Sequence, residues 1–150
     1  MTTLDDVASV VDQLARALPP TAAVVTREST EDGAAILLSP KGEHSADVRI
    51  DIMAGNPHVF ISAGHGGIFE VPPEGHRYSD LDLLDEIRAI CLAVIRGEFR
   101  ETVWFKGDEV VGGHGVVRIG SSDVGDRWRK VFSNPFTRTV RRSYSYAPYA

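Results

Sequence analysis

The sequence predicts a single α+β domain: a mainly antiparallel sheet, packed by two helices and followed by an irregular basic C-terminal tail. Two segments, at about 4–17 and 80–96, have apolar residues at the three- and four-residue spacing of a helix face. Elsewhere apolar and polar residues alternate, which is typical of strands with one face in water. The length of 150 residues suits one domain with a sizeable core.

The first helix is predicted from about Leu4 to Ala17. Thr3 and Asp6 have the spacing of an N-terminal capping arrangement, in which the hydroxyl accepts from an amide that otherwise has no partner in the helix. Pro19 and Pro20 end the helix, because proline has no amide hydrogen and restricts the residue before it.

An antiparallel meander is predicted over residues 21–71, where short apolar stretches alternate with turn residues. The clearest strand is at 46–52, in which apolar and charged residues alternate strictly. Gly64–Gly67 is predicted to be a hairpin turn before a strand at 68–71. A phosphate-binding loop would instead lead into a helix.

The second helix is predicted at 80–96, with Ser79 as its N-cap and Gly97 as its left-handed stop. Its apolar stripe includes Cys91. A cysteine in such a stripe is interpreted as a small buried hydrophobe with a raised pKa, not as a nucleophile.

Strand character returns over residues 101–119, with Lys106–Asp108 as the hairpin turn. Gly112–Gly115 is interpreted as a flexible turn or a bulge. Beyond Gly120 the alternation fades, and irregular structure is predicted.

Charge divides the chain into an acidic α+β domain at 1–126 and a basic tail at 127–150. The first part has 21 acidic and 10 basic residues, a net charge of −11, whereas the tail has six basic residues and no acidic one. The tail also has scattered aromatic residues. The tail is predicted either to dock on the body or to remain flexible. Alternatively, the acidic body and the basic tail each attract a partner of opposite charge.

The motifs predict no catalytic residue, metal site or cofactor. The five histidines lack metal-ligand spacing, although His58, His65 and His76 could converge on one edge of the sheet. Two alternatives stay open. One is a small enzyme that uses His65 or His114 near a carboxylate, and the other is a nucleic-acid accessory protein that binds through the basic tail.

A resemblance adds to this interpretation. Residues 83–90 (LLDEIRAI) and 93–104 (AVIRGEFRETVW) resemble small bacterial immunity-type proteins of polymorphic toxin systems. In those proteins an apolar helix ends in a glycine, and a short link enters a hairpin with a glutamate and an aromatic residue. The resemblance implies a non-catalytic cytoplasmic protein that binds and neutralises a cognate toxin domain.

The predicted partner is therefore a cognate protein, and an acidic body would steer a basic toxin domain toward it. The binding residues expected on exposed loops are Glu70, Glu74, His76 and Tyr78, with Trp104 as a further candidate if its face is uncovered. The acidic start lacks the pattern of a secretory signal, and no apolar run approaches the roughly 20 residues of a membrane span. With a single cysteine, these features predict a cytoplasmic protein that does not interact with membranes.

Overall fold

A computed structural model describes residues 3–130 and 138–150 and confirms the α+β class. Two helices and two antiparallel sheets form one small domain. In chain order, the elements are α1 (Leu4–Arg16), β1 (Ala23–Thr30), β2 (Gly33–Pro40), β3 (Val48–Met53), β4 (Val59–Ala63), β5 (Gly67–Val71), α2 (Asp80–Ile95), β6 (Phe99–Lys106), β7 (Glu109–Ile119), β8 (Ser122–Arg129) and β9 (Val140–Ser145).

The first sheet is the predicted meander, with the strands in the order β1-β2-β3-β4-β5. Its register sets Ile36 beside Ile50 and Ile50 beside Ile61, and all three are buried. This row lies in the core, and the opposite face carries polar pairs such as Arg49 and Asp51. Gly64–Gly67 is the hairpin turn between β4 and β5, as predicted.

Both helices begin at the predicted caps. The Thr3 hydroxyl accepts from the Asp6 amide, while the Asp6 carboxylate accepts from the Thr3 amide at 2.8 Å. The Ser79 hydroxyl accepts from the Asp82 amide at 3.2 Å, and Gly97 follows α2 with a φ of 72°. The helices pack on each other and on the core strands. Within residues 3–130 and 138–150, no helix is both long and apolar enough to cross a bilayer.

The strands after α2 form a second sheet, in the order β8-β7-β6-β9, and do not extend the first. Phe99 and Val103 on β6 and Val117 on β7 face the core. The predicted hairpin is present, but Gly112–Gly115 is not a turn. It lies inside the long strand β7, next to a register irregularity opposite Trp104 and Phe105.

The two sheets meet where glycines allow their backbones to touch. A Cβ atom on Gly113 would lie 2.2 Å from the Gly66 carbonyl oxygen, and one on Gly115 would lie 2.8 Å from the Gly67 Cα. Such distances exclude any larger side chain. Both glycine-rich segments therefore have the same structural role, the close crossing of β5 and β7.

The prediction of irregular structure after Gly120 is wrong for two segments, β8 and β9, which are strands of the second sheet. Their alternation is masked in the sequence, because β8 has few large apolar residues on its inner face and β9 has an arginine on each face. The chain then docks on the body: the Tyr149 side chain is buried, and its hydroxyl donates to the Ala46 carbonyl at 2.6 Å. Residues 131–137 of the predicted tail lie outside the described residues.

Candidate functional site: a groove at the start of the second helix

A cavity with a volume of about 730 Å³ lies where the β3–β4 turn meets the segment that leads into α2. Apolar side chains and polar groups share its wall. It is lined by Ile52, Asn56, Pro57, His58, Val59, Pro72, Gly75, His76, Arg77, Tyr78, Asp80 and Leu83. This volume is within the range of ordinary ligand and side-chain pockets, roughly 300–1,000 Å³.

The rim of this groove is unusually apolar for a surface. Tyr78 is 38% exposed and lines the cavity, while Leu81, on the first turn of α2 beside it, is 75% exposed. Ile52, Val59 and Leu83 provide apolar surface deeper in the wall. Exposed apolar groups around a concave site are typical of a contact surface.

Carboxylates surround the start of α2. Asp80 and Asp82 lie in its first turn, as predicted for the positive end of a helix. Asp6 on α1 is close enough to Asp80 for the two charges to repel. Hydrogen bonds from Thr3 outweigh this repulsion and lower the pKa of Asp6, so its carboxylate is charged at neutral pH. The groove is thus bordered by negative charge.

His58 forms the inner wall and is held in place by two acceptors. Its Nδ1 lies 2.9 Å from the Pro72 carbonyl oxygen and 3.2 Å from Glu70 Oε1. Because both partners are acceptors, Nδ1 is the atom that carries the hydrogen. The Asn56 side chain accepts from the His58 backbone amide at 2.9 Å, which fixes the turn before β4.

Glu70 lines a second, smaller depression of about 280 Å³. Glu74 lines it together with Asp126, Arg127 and Trp128 of β8. The Glu70 backbone amide donates to Asp126 Oδ2 at 3.0 Å, linking β5 to the second sheet.

Four of the five predicted binding residues line the two depressions. His76 and Tyr78 line the groove, and Glu70 and Glu74 line the smaller depression. Trp104 is separate from them. It lies half-buried on the outer face of the second sheet, with the Arg127 guanidinium 5.7 Å from its ring centre.

Sequence reasoning missed one buried polar cluster, centred on Glu101. This carboxylate is only 3% exposed and accepts from the backbone amides of His65, at 2.7 Å, and Gly66, at 2.8 Å. The Tyr146 hydroxyl also donates to it. Burial and this carboxylate raise the pKa of the Tyr146 phenol far above its usual range. The sequence does contain a signal for this buried carboxylate. Glu101 lies two residues from both Phe99 and Val103, so the period of a strand places it on the same inward face.

The histidines do not gather at one point. His58 and His76 share the groove, whereas His65 is exposed in the β4–β5 turn and packs on Tyr144, with ring centres 4.4 Å apart. His114 is on the outer face of the second sheet. Over the described residues, no group of three or more His, Cys, Asp or Glu side chains has an arrangement that could hold a metal ion.

Comparison of the chain with protein-family models gives no match, and comparisons with curated proteins and with solved structures give none either. The functional interpretation therefore depends on the geometry of these surfaces.

Proposed function

We propose that this protein is a non-catalytic binding protein, an immunity-type inhibitor that holds a basic toxin domain in the groove at the start of α2. The observation that carries the proposal is the combination of an open cavity, an exposed apolar rim and bordering carboxylates. The proposal includes a cytoplasmic location, in accord with the resemblance of residues 83–104 to immunity-type proteins.

The apolar part of the groove supplies the expected binding energy. Tyr78 and Leu81 are the exposed contacts, and the cavity beside them can receive one large side chain of the partner. Aromatic residues next to a pocket are typical hot spots of protein interfaces, where one truncation costs about 2 kcal/mol or more.

The charges supply the expected selectivity. Asp80 and Asp82 lie beside the groove, with Glu74 on the smaller depression, so an approaching basic surface gains favourable long-range energy. Arg77 also lines the groove, and its guanidinium would donate hydrogen bonds to an acceptor group of the partner.

Two groups that catalysis might otherwise use are committed to structure. Burial raises the pKa of the Cys91 thiol to about 12, so it is not a thiolate at neutral pH. Both oxygens of Glu101 accept hydrogen bonds from the turn at His65 and Gly66. These features favour binding over the enzyme alternative that pairs a loop histidine with a carboxylate.

The test is co-expression with a toxin domain encoded next to this gene, followed by measurement of survival and of the dissociation constant. We expect a stable complex and restored growth. The double variant Tyr78→Ser/Leu81→Ser should weaken the complex by tenfold or more, since both changes remove exposed contact surface. Val24→Ser on β1 is the matched control, because Val24 is an exposed apolar residue (45%) far from the groove in the sheet order.

Association should also slow steeply as salt is added, because charge steering is screened beyond about 8 Å at 0.15 M ionic strength. If the wild-type chain binds no neighbouring domain, or if the groove variant and the Val24 control bind equally well, the proposal is wrong. Turnover of a small substrate that is lost in His65→Ala or His114→Ala would favour the enzyme instead.

A further inference from the structure

The outer face of the second sheet has a composition unlike the rest of the molecule. Strand pairing places four cross-strand rows on this face, between the row of Trp104 and the row of Arg118. Among the described residues, these rows carry five arginines and one carboxylate, Asp123, which forms an ion pair with Arg100 at 2.8 Å. The arginines are Arg100, Arg118, Arg127, Arg129 and Arg141.

The two central strands of this face carry an indole and an imidazole, and the two outer strands carry three of the five arginines. Trp104 on β6 and His114 on β7 are in the middle of the sheet. Arg127 on β8 and Arg141 on β9 flank them. Gly112 on β7 is paired with Trp104, and because Gly112 has no side chain, the indole of Trp104 can lie over it. The Arg127 guanidinium is 5.7 Å from the centre of the indole.

A depression of about 270 Å³ lies beside His114 on the same face. Thr102 and Ser143 line it, with their hydroxyl oxygens 3.5 Å apart. Its other lining residues are Arg100, Glu101, His114, Val116, Tyr144 and Ser145. Hydroxyl, imidazole and guanidinium groups together can bind phosphate or sugar oxygens.

We infer that the outer face of the second sheet binds single-stranded nucleic acid, with Trp104 and His114 as base-stacking positions and the flanking arginines on phosphates. Four-stranded antiparallel sheets with central aromatic residues are a known platform for unpaired bases. The rings favour nucleic acid over an acidic protein, because stacking uses the flat faces of the bases while the arginines neutralise the backbone.

The negative charge of the whole chain, −5, does not prevent this binding. Asp6, Asp80 and Asp82 are on α1 and α2, whereas the arginine face belongs to β6–β9. Only Arg127 of this face also lines the smaller depression, with Glu70, Glu74 and Asp126. At physiological ionic strength, exposed charges beyond about 8 Å are largely screened. The local charge of the face therefore dominates its interactions, and this inference is independent of the toxin-binding proposal.

The experiment is fluorescence anisotropy of the full chain with labelled 12-nucleotide oligo(U) and oligo(dT), and with a DNA duplex of the same length, at several salt concentrations. We expect the single strands to bind more tightly than the duplex. The double variant Arg127→Ser/Arg141→Ser should weaken binding, and its log–log salt slope should be smaller by about 1.4, because about 0.7 is lost per phosphate contact.

The matched control is Arg88→Ser/Arg96→Ser, which removes the same charge from exposed positions on and just after α2. It should bind like the unaltered chain. Trp104→Leu keeps an apolar side chain and should weaken binding by roughly five- to a hundredfold through lost stacking. Circular dichroism spectra identical to the wild-type spectrum establish that each variant is folded.

Three outcomes would overturn the inference. The first is no binding of either single strand at 20 mM salt, and the second is equal loss of affinity in the two double variants. The third is binding of polyglutamate as tightly as oligo(U), with no effect of Trp104→Leu, which would identify an acidic protein as the ligand of this face.

Discussion

Removal of the Glu101 carboxylate tests how the two sheets are joined. In Glu101→Ala, the amides of His65 and Gly66 and the Tyr146 hydroxyl lose their shared acceptor, and the Gly66 amide is in a buried residue. Hydrogen bonds to a charged group contribute about 1.5–3 kcal/mol each, and an orphaned buried donor costs about 1–3 kcal/mol.

Water can reach the exposed His65 more easily than Gly66, so the three losses do not add in full. We therefore expect Glu101→Ala to lower the free energy of unfolding by about 3–5 kcal/mol, a large part of the typical 5–15 kcal/mol total. Tyr146→Phe removes only one donor and leaves the carboxylate bound to both amides. Its expected cost is about 1–2 kcal/mol.

Urea denaturation followed by tryptophan fluorescence measures these differences. Trp128 reports on the turn directly, because its Nε1 donates to the Gly66 carbonyl at 2.7 Å. Glu31→Ala, an exposed residue in the β1–β2 turn, controls for the loss of one negative charge. A cost below about 1 kcal/mol for Glu101→Ala, or equal costs for Tyr146→Phe and Glu101→Ala, would refute the reasoning.

Three further predictions concern the core and its titration. Ile87→Ala, at a fully buried position on α2, should cost about 2–5 kcal/mol through lost apolar contact and a cavity, and an unchanged thermal melt would contradict the packing of this helix. Gly113→Ala should lower the free energy of unfolding by at least about 1–3 kcal/mol, because its Cβ would lie 2.2 Å from the Gly66 carbonyl oxygen. Gly42→Ala is the control. Its nearest contact would be at 3.4 Å, so it should have little effect in the same urea titration. Burial raises the pKa of Cys91 to about 12, above that of the thiol in the unfolded chain, so the thiol ionises first in the unfolded state. The free energy of unfolding should therefore be constant below pH 9 and should fall by up to about 1.4 kcal/mol per pH unit from pH 9 toward 12. Cys91→Ala should flatten the decline between pH 9 and 10 in urea titrations, and an equally steep decline in that variant would assign it to other groups.

The sequence predicted elements whose signals are local. Thr3 and Ser79 cap their helices because a hydroxyl can reach an amide three residues away, whatever else the fold does. The meander was also predictable, since strict alternation at residues 48–52 leaves one consistent face for burial. Three of the expected binding residues, Glu74, His76 and Tyr78, lie in the short stretch between β5 and α2, and Glu70 lies near the end of β5.

Strands β8 and β9 were not predictable in this way. Arginines lie on their outer face, and only their pairing with β7 and β6 brings Val124, Trp128 and Tyr144 to partial burial. The role of the tail changed accordingly: its described bases lie partly on a sheet face instead of on a separate arm.

By itself, the sequence determined the α+β class, the two helices with their ends and the first sheet. Each follows from hydrogen bonds or periodicity over a few residues. Only the tertiary structure decided that the strands divide into two sheets, that Gly66 and Gly113 meet, and that Glu101 is held by a turn 35 residues earlier in the chain. These contacts join distant segments whose mutual positions depend on the packing of the whole core, and no local pattern encodes that packing.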